Sequence, residues 1–218
     1  MDKPAGPSSF AVVAQIRRLT GARTGHAGTL DPFATGLLLV LSGRATKLTP
    51  RLVGLDKRYL TGIDLTCRTT TGDLEGEVVD RHAPLGEDEL GERLESLRGE
   101  IELPIPAASA VKIRGERAYR LARRGVEVEM PVRRSVVHTL DVTAYTGEGV
   151  TLEVHVSSGT YVRSLAIALG GHCTSLRRME VGPFSVADAV APGEFASEQL
   201  LSEAVVLEHV EASRAAGA

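Results

Sequence analysis

The feature that most narrows the fold is a pair of strand-period runs at residues 136–145 and 150–156, separated only by residues 146–149. Alternation of period two turns Val150, Leu152, Val154 and Val156 to one face of a sheet and their polar neighbours to the other. Residues 58–65 ("RYLTGIDL") alternate in the same way, and "RTTTGDLEGEVV" reads as a polar hairpin connection into a further strand. The apolar run 37–41 is short enough for one buried strand.

Helical patterns are interleaved with these strands. Ser8 and Ser9 cap a helix through Thr20, with Val12, Val13, Ile16 and Leu19 on its buried face and Gly21 as the stop. Leu90, Leu94 and Leu97 mark an amphipathic helix ending at Gly99, and residues 115–125 read as a short basic helix carrying Tyr119. Residues 157–160 turn a strand into a helix over 161–169, with Thr160 as its cap. No regular βαβ period emerges, so the expected class is α+β, a mixed, mainly antiparallel sheet with flanking helices.

Composition excludes several function classes. The longest apolar run is far below the roughly 18 residues of a membrane helix, and no signal-like segment opens the chain, so a cytoplasmic protein is expected. The two cysteines, Cys67 and Cys173, lie far apart, and no H-E-x-x-H or zinc-spaced cluster occurs. Neither a P-loop nor a dinucleotide fingerprint is present, so no metal and no cofactor is expected. The net charge of −3 argues against a general nucleic-acid binder. Its distribution is more informative, because residues 15–58 carry eight Lys/Arg against two acids and residues 112–134 eight against three. Two basic blocks near glycine-rich motifs point to a polyanion approaching one side.

Three stretches offer chemistry. In "GHAGTLDPFATGLL" a single carboxylate, Asp31, sits among glycines; it reads first as an Asp-Pro turn former, and second as a nucleophile or base kept ionised by nearby cations. In "SSGTYVRSLA", Arg163 occupies a first helical turn, where the helix dipole disfavours a cation. Such a placement suggests an acid partner from another segment, with Asp31 a natural choice, although a surface arginine fits as well. In "DKRYL", Tyr59 is either a half-buried strand aromatic or a platform for an extruded base, a contact worth roughly 1–3 kcal/mol.

Taken in order, "DKPAGPSS", "GHAGTLDPFATGLL", "DKRYL", "SAVKIRGERAYRLARRG" and "SSGTYVRSLA…LRRM" resemble the bacterial tRNA pseudouridine synthases of the TruB type, over residues 2–179. That resemblance implies the pseudouridine synthase fold and a cofactor-free isomerisation of the T-loop uridine at tRNA position 55. In it, uracil is detached from ribose C1′, turned, and rejoined through C5. It further implies Asp31 as nucleophile, Tyr59 as the residue stacking on the flipped base and assisting deprotonation at C5, and Arg163 as partner of the nucleophile. His26 would help displace the base and hold the T-loop. Lys47, Lys112, Tyr119, Arg123, Arg124, Tyr161 and Leu176 complete the expected RNA-binding set. The implied partner is the tRNA T-arm, met by a monomer without obligate protein partners or membrane.

The expected organisation is a catalytic domain over residues 1–187, with a basic insertion at about 104–135 that closes on RNA, and a short acidic tail over 188–218 in place of a complete C-terminal RNA-binding domain. Other departures from the family pattern are the start directly on Asp2-Lys3-Pro4, as if trimmed, and the short connections "GGHCTS" and "LPIPAAS". Two rival readings are an RNA-binding or tRNA-folding module without catalysis, and a guide-RNA-dependent subunit acting on ribosomal RNA.

Overall fold

In a computed structural model of the chain, the described residues are 1–109, 111–113, 115–118, 121, 124, 126 and 129–216. The chain forms two units, residues 1–60 with 176–218 and residues 61–175. The division falls inside two strands, β5 (Lys57–Asp64) and β13 (His172–Val181).

In the first unit, β1 (Asp2–Lys3) pairs antiparallel with β3 (Thr35–Leu37), which pairs in parallel with the end of β13; β13 then turns back on β14 (Phe184–Ser185). A second ribbon joins β2 (Thr24–His26) to β4 (Val40–Ser42). Helix α1 (Ser9–Thr20) starts where expected: the Ser8 side chain accepts from the Ala11 amide, and Gly21 closes the helix in the left-handed region at φ 63°. Its buried face is Val12, Val13 and Ile16, whereas Leu19 is 58% exposed, one position beyond the stripe that meets the ribbon. The run 37–41 is not one strand but two, because the chain leaves β3 at Leu37 and re-enters β4 at Val40. Helix α2 (Thr49–Val53) and α5 (Glu203–Ala216) complete this unit, with Val210 of α5 packing among Ala27, Leu41 and Leu52. The acidic tail thus contributes to the core.

In the second unit, the alternating runs form β11 (Val132–Tyr145) and β12 (Gly149–Val156), paired antiparallel, with β8 (Gly99–Pro104) on the other edge of β11. Val150, Leu152, Val154 and Val156 are all buried, as the alternation requires. β6 (Cys67–Thr69) and β7 (Val78–Arg81) make the expected hairpin, and α3 (Glu87–Ser96) buries Leu90 and Leu94. Helix α4 (Val162–Ala168) begins at Tyr161 without a side-chain cap, because the Thr160 hydroxyl donates to the Ser157 carbonyl instead. Where a basic helix is expected from 115, the described residues begin with a short ribbon of β9 (Lys112–Ile113) and β10 (Glu116–Arg117), and Ala118 and Leu121 after it are helical. Among the pairings described above, all are antiparallel except β3 with β13, and an isolated parallel bridge joins Asp73 to Cys173. The architecture is α+β. No helix among the described residues is long and apolar enough to cross a membrane.

Candidate active site

In the first unit, the loop between β2 and β3 carries Asp31, which is half-buried, and almost every backbone group around it is tied down. On one side, the Arg178 guanidinium donates to the carbonyls of Gly28 (3.0 Å) and Thr29 (3.4 Å). Next to Asp31, Leu30 is pinned to Ser9 of α1, whose hydroxyl donates to the Leu30 carbonyl and accepts from its amide, both at 2.8 Å. On the other side, the Pro32 carbonyl accepts from the Lys3 ammonium (3.1 Å) and from the Gly6 amide (2.8 Å). Lys3 also donates to the carbonyls of Pro4 and Pro7, each at 2.8 Å.

Lys3 and Arg178 are both fully buried. Burial lowers the Lys3 pKa to about 8, with the Asp31 charge opposing the shift. A buried cation is tolerable only where donors find acceptors, and here the carbonyl dipoles serve that purpose. Gly36 makes the arrangement possible: it lies opposite Arg178 in the β3–β13 pairing at φ 98°, and a Cβ there would sit 2.3 Å from the Arg178 carbonyl oxygen.

The other expected residues of this unit occupy three environments. His26 ends β2 with its Nδ1 buried and without a hydrogen-bond partner. Its pKa is lowered, by burial first and by the Arg178 charge second, so the ring is neutral near pH 7. Tyr59 is on β5 and only 7% exposed, more enclosed than a half-buried strand aromatic, while Lys57 beside it donates to the carbonyls of Val53 (2.6 Å) and Leu55. Lys47 is exposed on a 3-10 turn (Gly43–Leu48), and Leu176 is buried in β13.

In the second unit Arg163 is not a surface residue. It is 3% exposed, donates to the carbonyls of Thr71 (2.7 Å) and Ala108 (3.0 Å), and lies 3.2 Å from the equally buried Asp73 carboxylate. The other oxygen of Asp73 accepts from the Thr71 hydroxyl (2.5 Å) and the Glu75 amide (3.0 Å). Asp73, the buried acid beside Arg163, was missed by sequence reasoning, since "TTTGDLEG" read as a polar connection. Its available signal was an acid held among threonines and glycines in a tight hairpin. Tyr161 precedes α4, and Lys112 is exposed on β9. Arg124 is exposed and paired with Glu116 at 2.8 Å, whereas Tyr119 and Arg123 lie outside the described residues.

One trio in this unit has donor atoms suited to a metal, with Asp64, Cys67 and His172 offering atoms within 4.8 Å of one another. Internal bonds already engage them. His172 Nδ1 lies 3.1 Å from the Cys67 carbonyl, and Asp64 accepts from the Thr66 amide and hydroxyl at 2.7 and 2.6 Å. Burial works against ionisation of Asp64, but the Thr66 donors outweigh it and hold its pKa below the ordinary value.

A loop that presents one carboxylate suits nucleophilic chemistry. Residues 17–162 match the model described as TruB family pseudouridylate synthase (N terminal domain). The chain belongs to the TruB family. It is 45% identical over 215 residues to tRNA pseudouridine synthase B of Thermobifida fusca (strain YX), covering 91% of this chain and 73% of the relative. With the protein of the same name from Arthrobacter sp. (strain FB24) it shares 43% over 230 residues, covering 99% and 74%. Among solved structures it is similar to a Cbf5-Nop10-Gar1 complex, with a TM-score of 0.67 and 28% identity over 97% of this chain. A second similar structure is an H/ACA RNP bound to a substrate RNA containing 2'-deoxyuridine, with a TM-score of 0.63 and 26% identity. The chain spans 57% and 50% of those two structural relatives, respectively.

Proposed function

We propose that this TruB-family chain converts uridine to pseudouridine at position 55 in the T-loop of tRNA, with Asp31 as nucleophile. The observation that carries the reading is the Asp31 loop. Residues 28, 29, 30 and 32 are all fixed by buried donors and acceptors, which leaves the Asp31 side chain as what the loop presents. Fixing a nucleophile before substrate arrives removes orientational entropy from the barrier.

The base must leave its stack, at a cost of a few kcal/mol, before a carboxylate reaches the glycosidic carbon or the ring. Tyr59 supplies an aromatic face for the extruded uracil and assists the final loss of the C5 proton. His26, neutral near pH 7, displaces the base without adding charge. Arg163 supports the anionic form of Asp31. Bond changes balance within the substrate: the C1′–N1 bond breaks, the uracil turns, C1′ bonds to C5, and the C5 proton is released as N1 gains one. Residues 1–187 act as the catalytic domain, and the basic segment at 104–135, with Lys112 and Arg124, meets the RNA backbone together with Lys47. The relatives named tRNA pseudouridine synthase B support tRNA as substrate, and a cytoplasmic location belongs to the same proposal.

A second reading, a subunit of a guide-RNA assembly, draws on the likeness to Cbf5 in its complex with Nop10 and Gar1. Tritium release from C5-labelled uridine in a bare T-arm stem-loop, by the isolated chain, separates the two. Turnover without added protein or guide RNA supports the first reading, and its absence with retained RNA binding supports the second or a non-catalytic module.

A further inference from the structure

Among the described residues, Arg178 is one of the largest fully buried side chains, at 1% exposure, and its side-chain hydrogen bonds go to backbone carbonyls. Nε donates to Leu37 at 2.7 Å, Nη2 to Gly28 at 3.0 Å and Nη1 to Thr29 at 3.4 Å. These acceptors flank the Asp31 loop: Gly28 and Thr29 come three and two residues before the carboxylate, and Leu37 lies in β3 just after it. A guanidinium is suited to this task because its planar fork reaches several acceptors at fixed angles, which an ammonium cannot do.

The anchor for the fork is rigid. Arg178 lies in β13 directly opposite Gly36, where the two backbones approach so closely that no Cβ fits. The loop is shaped to meet it: Gly28 is at φ 96°, and a Cβ there would lie 3.5 Å from Nη1. The charge also reaches beyond its hydrogen bonds, since it adds to burial in lowering the pKa values of His26 and Lys57. A buried cation beside a loop that offers a carboxylate favours the anionic form of that carboxylate.

We propose that Arg178 is a positioning residue for the isomerisation: its fork clamps the Gly28 and Thr29 carbonyls and so fixes the approach of Asp31 to the uridine. This inference rests on the reading of Asp31 as nucleophile.

The test compares Arg178→Met and Arg178→Lys with wild type in the 218-residue chain. Folding is checked by circular dichroism, T-arm affinity by filter binding, and pseudouridine formation by single-turnover tritium release. Loss of the clamp is expected to slow the single-turnover rate roughly 10²-fold with affinity unchanged. Arg178→Lys, which keeps the charge but not the fork, falls between Arg178→Met and wild type. Where Arg178→Met does not fold, Arg178→Lys decides. Gly28→Ala, which strains the loop backbone at φ 96° on the other side of the clamp, is expected to lose rate and not affinity as well. A folded Arg178→Lys or Gly28→Ala at wild-type rate overturns the proposal, as does a loss of affinity equal to the loss of rate. If Asp31→Asn is inactive while the Arg178 variants match wild type, the positioning role falls and the reading of Asp31 stands. If Asp31→Asn is active, that reading falls first.

Discussion

Replacing Asp73 by alanine removes the carboxylate that faces Arg163 in a site where both side chains are at most 4% exposed. Removing one partner of a buried ion pair costs about 3–5 kcal/mol. Two carbonyls, of Thr71 and Ala108, still hold the guanidinium, which favours the lower end of that range. The Thr71 hydroxyl and the Glu75 amide lose their acceptor as well, which pushes the other way. At about 2–4 °C per kcal/mol for a chain of this size, thermal unfolding should move down by roughly 6–20 °C. A cycle with Arg163→Met isolates the pair, because the double variant buries neither charge. It should be more stable than the sum of the two single losses by roughly 1–3 kcal/mol. Calorimetric melts of the four proteins measure both quantities. A shift below about 2 °C for Asp73→Ala, or strict additivity in the cycle, would refute the claim that Asp73 holds Arg163.

Two further outcomes follow from charges in the structure. The Lys3 pKa of about 8 lies below its ordinary 10.5, so between these values the unfolded chain holds more of this proton than the folded one. Relative to Lys3→Met, the wild type should therefore gain stability as pH rises from 8 to 10, in urea titrations at each pH, and a narrowing gap would contradict the burial of that ammonium. Alanine at Arg123 and Arg124 should weaken T-arm binding and reduce its salt dependence by about one unit of log–log slope per lost phosphate contact, read from binding at several salt concentrations. An unchanged slope would place that face away from RNA.

Much of the fold was legible because its signals are local. Alternation identified β11 and β12, and Ser8 with Gly21 bounded α1, since caps and strand period depend on neighbours in sequence. Leu19 misled because helical periodicity cannot say how wide a partner the helix will meet. The run 37–41 misled because β3 and β4 belong to different pairings, a tertiary fact. The site divided along the same line. Asp31, Tyr59 and Arg163 were visible as residue types in motifs. The cations around the Asp31 loop and the acid beside Arg163 were not, because Lys3, Arg178 and Asp73 act through partners up to 150 residues away. A buried lysine bonded only to carbonyls looks in sequence like any surface lysine.

The central claim is that the Asp31 carboxylate carries the chemistry. Asp31→Asn keeps the volume of the side chain and removes its charge, so folding and T-arm binding should survive. Single-turnover tritium release from C5-labelled T-arm RNA by this variant, beside wild type at matched binding, tests the claim directly. The expected result is wild-type affinity with no release above background; release by Asp31→Asn at a substantial fraction of the wild-type rate would contradict it.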